Sequence, residues 1–218
     1  MLRDKVRTAN ALSVNEIYES IQGEGLLVGT PSIFIRLQGC NLRCPWCDQP
    51  EALSFSNATI PVEGILQKVQ EFPARHVVIT GGEPFAHQNL HVLVRALIEE
   101  GFSLQIETNG TLWNEGLDSM AEQVHITCSP KAVANFFVNP RVIKHTNELK
   151  FVVDEEFSSD VVLREEFRGL LLAEKVVLQP EGNKVSFLRK ALDIQRELSL
   201  KGFKVRVIPQ VHKLLGLP

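Results

Sequence analysis

A chain of 218 residues fits one large domain and can bury ~70% of the surface its unfolded form would expose, so it needs no disulfide staples. Hydrophobic residues make up 44% and charged residues 22%, which excludes wholesale disorder. With 23 Lys and Arg against 26 Asp and Glu, the formal charge of −3 gives no general attraction to phosphate backbones, so nucleic acid is not an expected partner.

Taken in chain order, the first seven residues Met-Leu-Arg-Asp-Lys-Val-Arg place charges where a secretory apolar region would stand. No later stretch reaches the ~20 apolar residues of a membrane helix, so a cytoplasmic protein is expected. Ser32–Leu37 reads as the first strong strand. Val62, Ile65, Leu66 and Val69 then fall on one helical face, with Thr59 and Pro61 suited to its cap and first turn. A strand at His76–Thr80 leads to a second helical stripe, Leu90, Leu93, Val94, Leu97 and Ile98, which Gly101 ends as a left-handed cap. Strands follow at Ser103–Glu107, Val124–Thr127, Leu149–Val153 and Lys175–Gln179. Val185, Leu188, Leu192 and Leu198 mark a third helix, closed by Gly202, and Lys204–Ile208 is a last strand.

Strands alternating with helices at this spacing predict an α/β fold of repeated βα units with a mainly parallel sheet. A Rossmann-like open sheet and a barrel both satisfy the pattern, but about seven strands are too few for a full eight-unit barrel. Either architecture binds its ligand at the carboxyl ends of the strands. No interior linker or repeat appears, so residues 1–218 are expected to form one domain.

The cysteines are unevenly placed. Cys40, Cys44 and Cys47 follow the first strong strand, while Cys128 lies far downstream. A disulfide framework would spread its cysteines to close loops. Three thiolates at spacings of four and three can converge on a soft metal centre. Zinc would need a fourth ligand, with His125 or Cys128 as candidates, and a plain buried thiol cluster is a further alternative. Zinc motifs usually come as two close pairs, so the spacing favours an iron–sulfur cubane held by three cysteines with one iron open.

Cys40-x3-Cys44-x2-Cys47, with Trp46 before the last cysteine, resembles the signature of the radical S-adenosylmethionine (SAM) superfamily. Thr80-Gly-Gly-Glu-Pro84, directly after a strand, resembles that superfamily's Gly-Gly-Glu motif, which contacts the methionine amino group. Further segments resemble one family within it, the 7-carboxy-7-deazaguanine synthases of queuosine-precursor biosynthesis. They are Ile21-Gln-Gly-Glu-Gly25, Gly29–Cys40, Arg75–Pro84, Ile106–Gly110, Cys128–Lys131, Leu178–Pro180 and Pro209–Leu215, in the family's order along nearly the whole chain.

The resemblance implies an incomplete TIM-like barrel and a lyase that converts 6-carboxy-5,6,7,8-tetrahydropterin to 7-carboxy-7-deazaguanine with loss of ammonia. It implies a [4Fe–4S] cluster on Cys40, Cys44 and Cys47, whose fourth iron takes the SAM amino and carboxylate groups. Trp46, Cys47, Asp48, Gly82, Ser129, Pro130, Lys131 and the turn Gln179, Pro180, Glu181, Gly182 are then expected around SAM. Ile21, Gln22, Gly23, Arg36 and Thr80 are expected at the substrate, with Glu24 and His212 in second rank. The carboxylate of Pro218 is expected to reach the pterin, with Val211, Leu214, Leu215 and Leu217 packing the tail so that it closes the substrate site. The family's usual threonine or serine ligand to Mg2+ is replaced here by Gln49, whose carbonyl is a hard oxygen able to ligate that ion. An electron donor such as flavodoxin or ferredoxin is implied, and a homodimer is left open. Two other readings share some of these residues: a glycyl-radical-enzyme activase of the same superfamily, and a non-enzymatic zinc-stabilised binding module.

Overall fold

The computed structural model of the protein describes residues 10–56 and 58–218; the charged stretch Met1–Arg7 lies outside the described residues. The chain forms two compact units, each α/β with mainly parallel strands. Among the described residues no helix is long and apolar enough to cross a membrane.

The first unit comprises the described residues up to Ser20, Pro31–Thr108 and Leu112–His125. Its strands are β1 (Ala11–Leu12), β2 (Val14–Ile21, to Ser20 in this unit), β3 (Pro31–Leu37), β4 (Ile60–Pro61), β5 (His76–Gly81) and β6 (Ser103–Thr108). The order is β2-β3-β5-β6, and β1 pairs separately with β4. Strands β3, β5 and β6 run parallel, with Ile33 beside Val77 and Val77 beside Leu104. These apolar residues are buried because helices cover parallel sheets. Helix α1 (Val62–Gln70) buries Val62, Ile65 and Val69, and α2 (Leu90–Glu99) buries Leu90, Leu93, Val94 and Leu97. Gly101 ends α2 at φ 76°, as predicted. The start of α1 differs from the prediction, since Pro61 pairs with Ala11 and itself stands at the N-cap. Strand β2 escaped the sequence reading because its residues are half-buried or exposed and lack a clean alternation.

The second unit comprises Ile21–Thr30, Asn109–Thr111 and Ile126–Pro218. Its strands run in the order β7-β8-β9-β10, where β7 is Val124–Cys128 (from Ile126 in this unit), β8 Glu148–Val153, β9 Val176–Pro180 and β10 Arg206–Val207. All three pairings in it are parallel. Short helices α3 (Pro140–His145), α4 (Ser159–Val162) and α5 (Arg168–Leu172) precede α6 (Val185–Leu200), and α7 (Val211–Leu215) follows β10. Phe151, Phe157 and Phe167 pack as a fully buried aromatic cluster. Helix α6 matches the predicted stripe only in part: Leu198 is buried and Leu188 half-buried as expected. It buries Ala191, Ile194 and Leu198, whereas Val185 and Leu192 are exposed.

Candidate functional site

In the first unit, the cysteine loop grows directly from the carboxyl end of β3. Gly39 N–H donates to Ala52 O at 2.8 Å and Cys40 N–H to Leu53 O at 2.9 Å, which stitches the loop to the short turn Pro50–Ala52. The exposed Arg43 folds back on it, its Nη1 donating to the carbonyls of Cys40 at 2.7 Å and Leu42 at 2.8 Å. Leu42 N–H lies 3.4 Å from Cys40 Sγ, a donor aimed at sulfur. None of the three cysteines is in a disulfide; Cys40 is buried, Cys44 and Cys47 half-buried. Burial pushes the Cys40 thiol up, and the neighbouring charges of Glu83 and Cys47 add to this.

The turn after β5 is fastened to the same loop. Gly82 N–H donates to Leu37 O at 3.0 Å and Glu83 N–H to Gly39 O at 2.8 Å. A Cβ on Gly82 would stand 1.9 Å from Gly39 O, so glycine is required here by the approach of two backbones. The Glu83 carboxylate, fully buried, accepts from Phe85 N–H at 3.0 Å and from the Thr108 hydroxyl at 2.7 Å. It serves as the internal brace of the turn.

Across β3, β5 and β6 a polar row forms near the strand ends. Arg36 stands beside Thr80 in register, and the pairing of Ile79 with Ile106 brings Thr80 beside Glu107. The Thr80 hydroxyl donates to Glu107 Oε2 at 2.9 Å. Arg36 Nε donates to Glu16 at 2.6 Å and Nη2 to the Tyr18 hydroxyl at 2.8 Å, so protein groups already hold part of its fork. Tyr18 and Glu107 escaped the sequence reading; parallel register aligns Glu107 with Thr80, and the Arg36 guanidinium reaches Tyr18 on β2. Trp46 and Gln49 are half-buried and Asp48 is exposed. Gln49 supplies its backbone carbonyl to Ala52 N–H at 3.1 Å. His87, just past the turn, is buried with Nε2 unpartnered, and burial lowers its pKa.

In the second unit, Ser129, Pro130 and Lys131 follow β7, and Lys131 Nζ donates to Ser129 Oγ at 2.7 Å. Gln179, near the end of β9, is buried and its Oε1 has no protein partner. An acceptor in that position is costly unless something else donates to it. After the buried Pro180, Glu181 pairs with Lys184 and Gly182 takes φ 56°. Cys128 is fully buried beneath Gly110, where a Cβ would stand 2.6 Å from its sulfur.

The segment Ile21–Glu24 is fixed within this unit. Ile21, at its start, is half-buried. Gln22 N–H donates to Thr30 O at 2.8 Å, and Gly29 N–H donates to Gln22 O at 2.7 Å. The His212 ring lies against Gly23, where a Cβ would come within 2.1 Å of Nδ1. Glu24 pairs with Lys150 and accepts from Gln210 Nε2 at 2.7 Å. Burial alone would raise the Glu24 carboxyl, but the Lys150 ammonium and these hydrogen bonds bring it down to about 2. Glu148 accepts from Leu26 N–H at 2.6 Å and from the Thr127 hydroxyl at 2.7 Å. Leu214, Leu215 and Leu217 do not pack as expected. They are exposed, and the tail is attached through Val211 N–H to Gly23 O at 2.9 Å. Pro218 is exposed as well.

Lys150, Glu148 and Gln210 were not singled out from sequence. The signal for Glu148 and Lys150 is a strand, Glu-Leu-Lys-Phe-Val-Val, that carries two charges although both its faces are buried; Gln210 has no such local signal.

The donor set suits an iron–sulfur cubane: three cysteines on one loop, none in a disulfide, with an N–H directed at one of the sulfurs. The buried, unanswered acceptor of Gln179 suits a polar ligand such as SAM.

The family model described as the radical SAM superfamily matches residues 34–151. A protein of Aquifex aeolicus named 7-carboxy-7-deazaguanine synthase is 59% identical over 218 residues, covering 100% of both chains. A protein of the same name from Haemophilus influenzae is 33% identical, over 94% of this chain and 93% of its own. The crystal structure of QueE from Escherichia coli superposes with a TM-score of 0.75 at 28% identity, over 96% of this chain and 98% of that one. Streptococcus suis SuiB bound to S-adenosylmethionine shares the fold, with a TM-score of 0.55 at 16% identity over 79% of this chain and 45% of that one. The chain therefore belongs to the radical SAM superfamily and, within it, to the 7-carboxy-7-deazaguanine synthase family.

Proposed function

We propose that the protein is a radical SAM lyase that converts 6-carboxy-5,6,7,8-tetrahydropterin to 7-carboxy-7-deazaguanine with loss of ammonia, acting as one domain over residues 1–218. The observation that carries this reading is the fastening of the Cys40–Cys47 loop at Gly39 to the Gly82–Glu83 turn. Full-length likeness to proteins of that name supports the reaction over an activase or a zinc-stabilised module.

Cys40, Cys44 and Cys47 would hold the cluster. Trp46, Asp48, Gly82, Ser129, Pro130, Lys131 and Gln179 to Gly182 would hold SAM. Together the two groups supply, when bound, a carbon radical strong enough to take a hydrogen atom from the pterin. The chain's own residues bind, orient and exclude water. Arg36 suits the pterin carboxylate, because its guanidinium is always charged and fork-shaped. Thr80, in register beside it, orients its hydroxyl through Glu107. Ile21, Gln22, Gly23, His212 and Pro218 are assigned to the substrate. Gln49 is assigned to Mg2+ through its side-chain carbonyl. Three cysteines kept reduced suit the cytoplasm, with flavodoxin or ferredoxin as electron source.

The test is anaerobic reconstitution followed by an assay with the pterin, SAM and dithionite, with and without Mg2+. Wild type and Cys128→Ala are expected to carry about four irons per chain and to form product in a Mg2+-dependent way, while Cys44→Ala does neither. Iron loss in Cys128→Ala overturns the three-cysteine assignment. A fully loaded wild type that leaves the pterin unchanged overturns the reaction.

A further inference from the structure

The second unit contains a chain of polar contacts most of whose members have no assigned cofactor or substrate role. It begins at the turn after β9, where Asn183 grips the backbone of Gln210. Asn183 Nδ2 donates to Gln210 O at 2.9 Å, and Gln210 N–H donates to Asn183 Oδ1 at 2.8 Å. The Gln210 side chain then reaches Glu24 Oε1 at 2.7 Å, and the other oxygen of Glu24 receives Lys150 Nζ from β8. The next backbone amide after Gln210, that of Val211, donates to Gly23 O at 2.9 Å. Lys150 and Gln210 are each 5% exposed, and the side chains of the Lys150–Glu24 pair are 7% and 13% exposed.

Both oxygens of Glu24 are therefore engaged by protein donors, and the carboxylate is ionised. A buried ion pair of this kind is rarely the cheapest way to stabilise a fold, since well-packed apolar residues do as well or better. What it adds is a fixed geometry between the groups it joins. Here those groups are Gln22–Glu24, β8 and the segment that opens α7.

We propose that Lys150 is a positioning residue for the pterin substrate, acting through Glu24 and Gln210 to hold the Gln22–Gly23 segment and the start of α7 at a fixed separation. This rests on the reading of the protein as a pterin-converting enzyme. It also removes Glu24 from the groups that touch substrate, making it a strut. A methyl-ended side chain at position 150 fills the volume but cannot anchor Glu24. An arginine restores the charge and donors.

Three variants test it: Lys150→Met, Lys150→Arg, and the uncharged pair Glu24→Gln with Lys150→Met. Steady-state kinetics with the pterin, SAM titration, iron content and thermal unfolding are read on each loaded enzyme. Lys150→Met is expected to raise the pterin KM about tenfold or more with a much smaller change in kcat. Iron content and SAM affinity should stay at wild-type values. Lys150→Arg should recover most of the KM. The uncharged pair should regain thermal stability relative to Lys150→Met, because no charge is left buried alone, yet keep the raised KM. A wild-type KM in either Lys150→Met or the uncharged pair overturns the proposal. So does a loss shared equally between pterin and SAM. Amide exchange on the substrate-free enzymes separates this from the parent reading. Faster exchange at Val211 in Lys150→Met supports the strut even if wild type leaves the pterin unchanged, and unaltered exchange refutes it.

Discussion

Gln179 sets two expectations against each other at the scale of one side chain. Its Oε1 is buried without a protein donor, a condition that costs about 1–3 kcal/mol unless a ligand donates to it. Removing that acceptor should then leave the SAM-free protein as stable as before or more so, and damage only the bound state. Gln179→Met is expected to keep or raise the unfolding midpoint of the SAM-free protein while weakening SAM binding about tenfold, read by thermal unfolding and SAM titration. A parallel loss of both would show that the side chain merely packs. The sequence had placed Gln179 at a strand end and the resemblance had given it a ligand. The missing partner, by contrast, is a property of the space around the residue, which no local pattern contains.

At the scale of elements, the turn after Ser129–Lys131 carries two consecutive residues in the left-handed region. Asn135 and Phe136 both take positive φ, at 51° and 56°, and a bulky residue there is uncommon. Besides backbone hydrogen bonds within the turn, side chains hold it. Arg164 Nη1 donates to Asn135 O at 2.8 Å, its guanidinium lies 5.5 Å from the Phe136 ring centroid, and that ring meets Phe157 edge-on at 5.8 Å. Arg164→Ala is expected to lower stability by roughly 1–2 kcal/mol, combining a lost hydrogen bond with a cation–π contact. Denaturant unfolding measures it, and the iron content should not change. Sequence reading found the seven strands that β-branched runs declare, though not β1, β2 or β4, and it placed the ends of α2 and α6 through Gly101 and Gly202. It misplaced two residues of the inward face of α6, since Val185 and Leu192 are as apolar as the residues the helix buries. Only the position of the neighbouring strands decides which apolar stripe is covered.

For the whole molecule, the buried Glu24 links stability to pH. Its carboxyl lies at about 2 in the folded protein against an ordinary value of 4.5, so the unfolded chain binds the proton more readily. The stabilisation is therefore fully present above the ordinary value and is lost as pH falls through that interval toward the folded value. The wild type is expected to lose more stability between about pH 5 and pH 3 than a Glu24→Gln variant does, and urea unfolding at the two pH values reads the difference. An equal loss in both would show that other carboxylates carry the acid sensitivity.

The sequence by itself determined the α/β class, the cysteine loop after the first strong strand, the Gly-Gly-Glu turn and the family. These are local: a period of two or of 3.6 residues, a fixed spacing, or a short motif is written in neighbouring positions. The tertiary structure alone decided which charged groups meet. Arg36, Thr80 and Glu107 align through parallel register, and Glu24, Lys150 and Gln210 join across 186 positions of chain. The exposed Leu214 and Leu215 likewise follow from how α7 is attached, through Val211 to Gly23. Hydrophobic periodicity records which residues prefer to leave water, but partners distant in sequence are chosen only when strands pair and a buried charge must find its counter-charge.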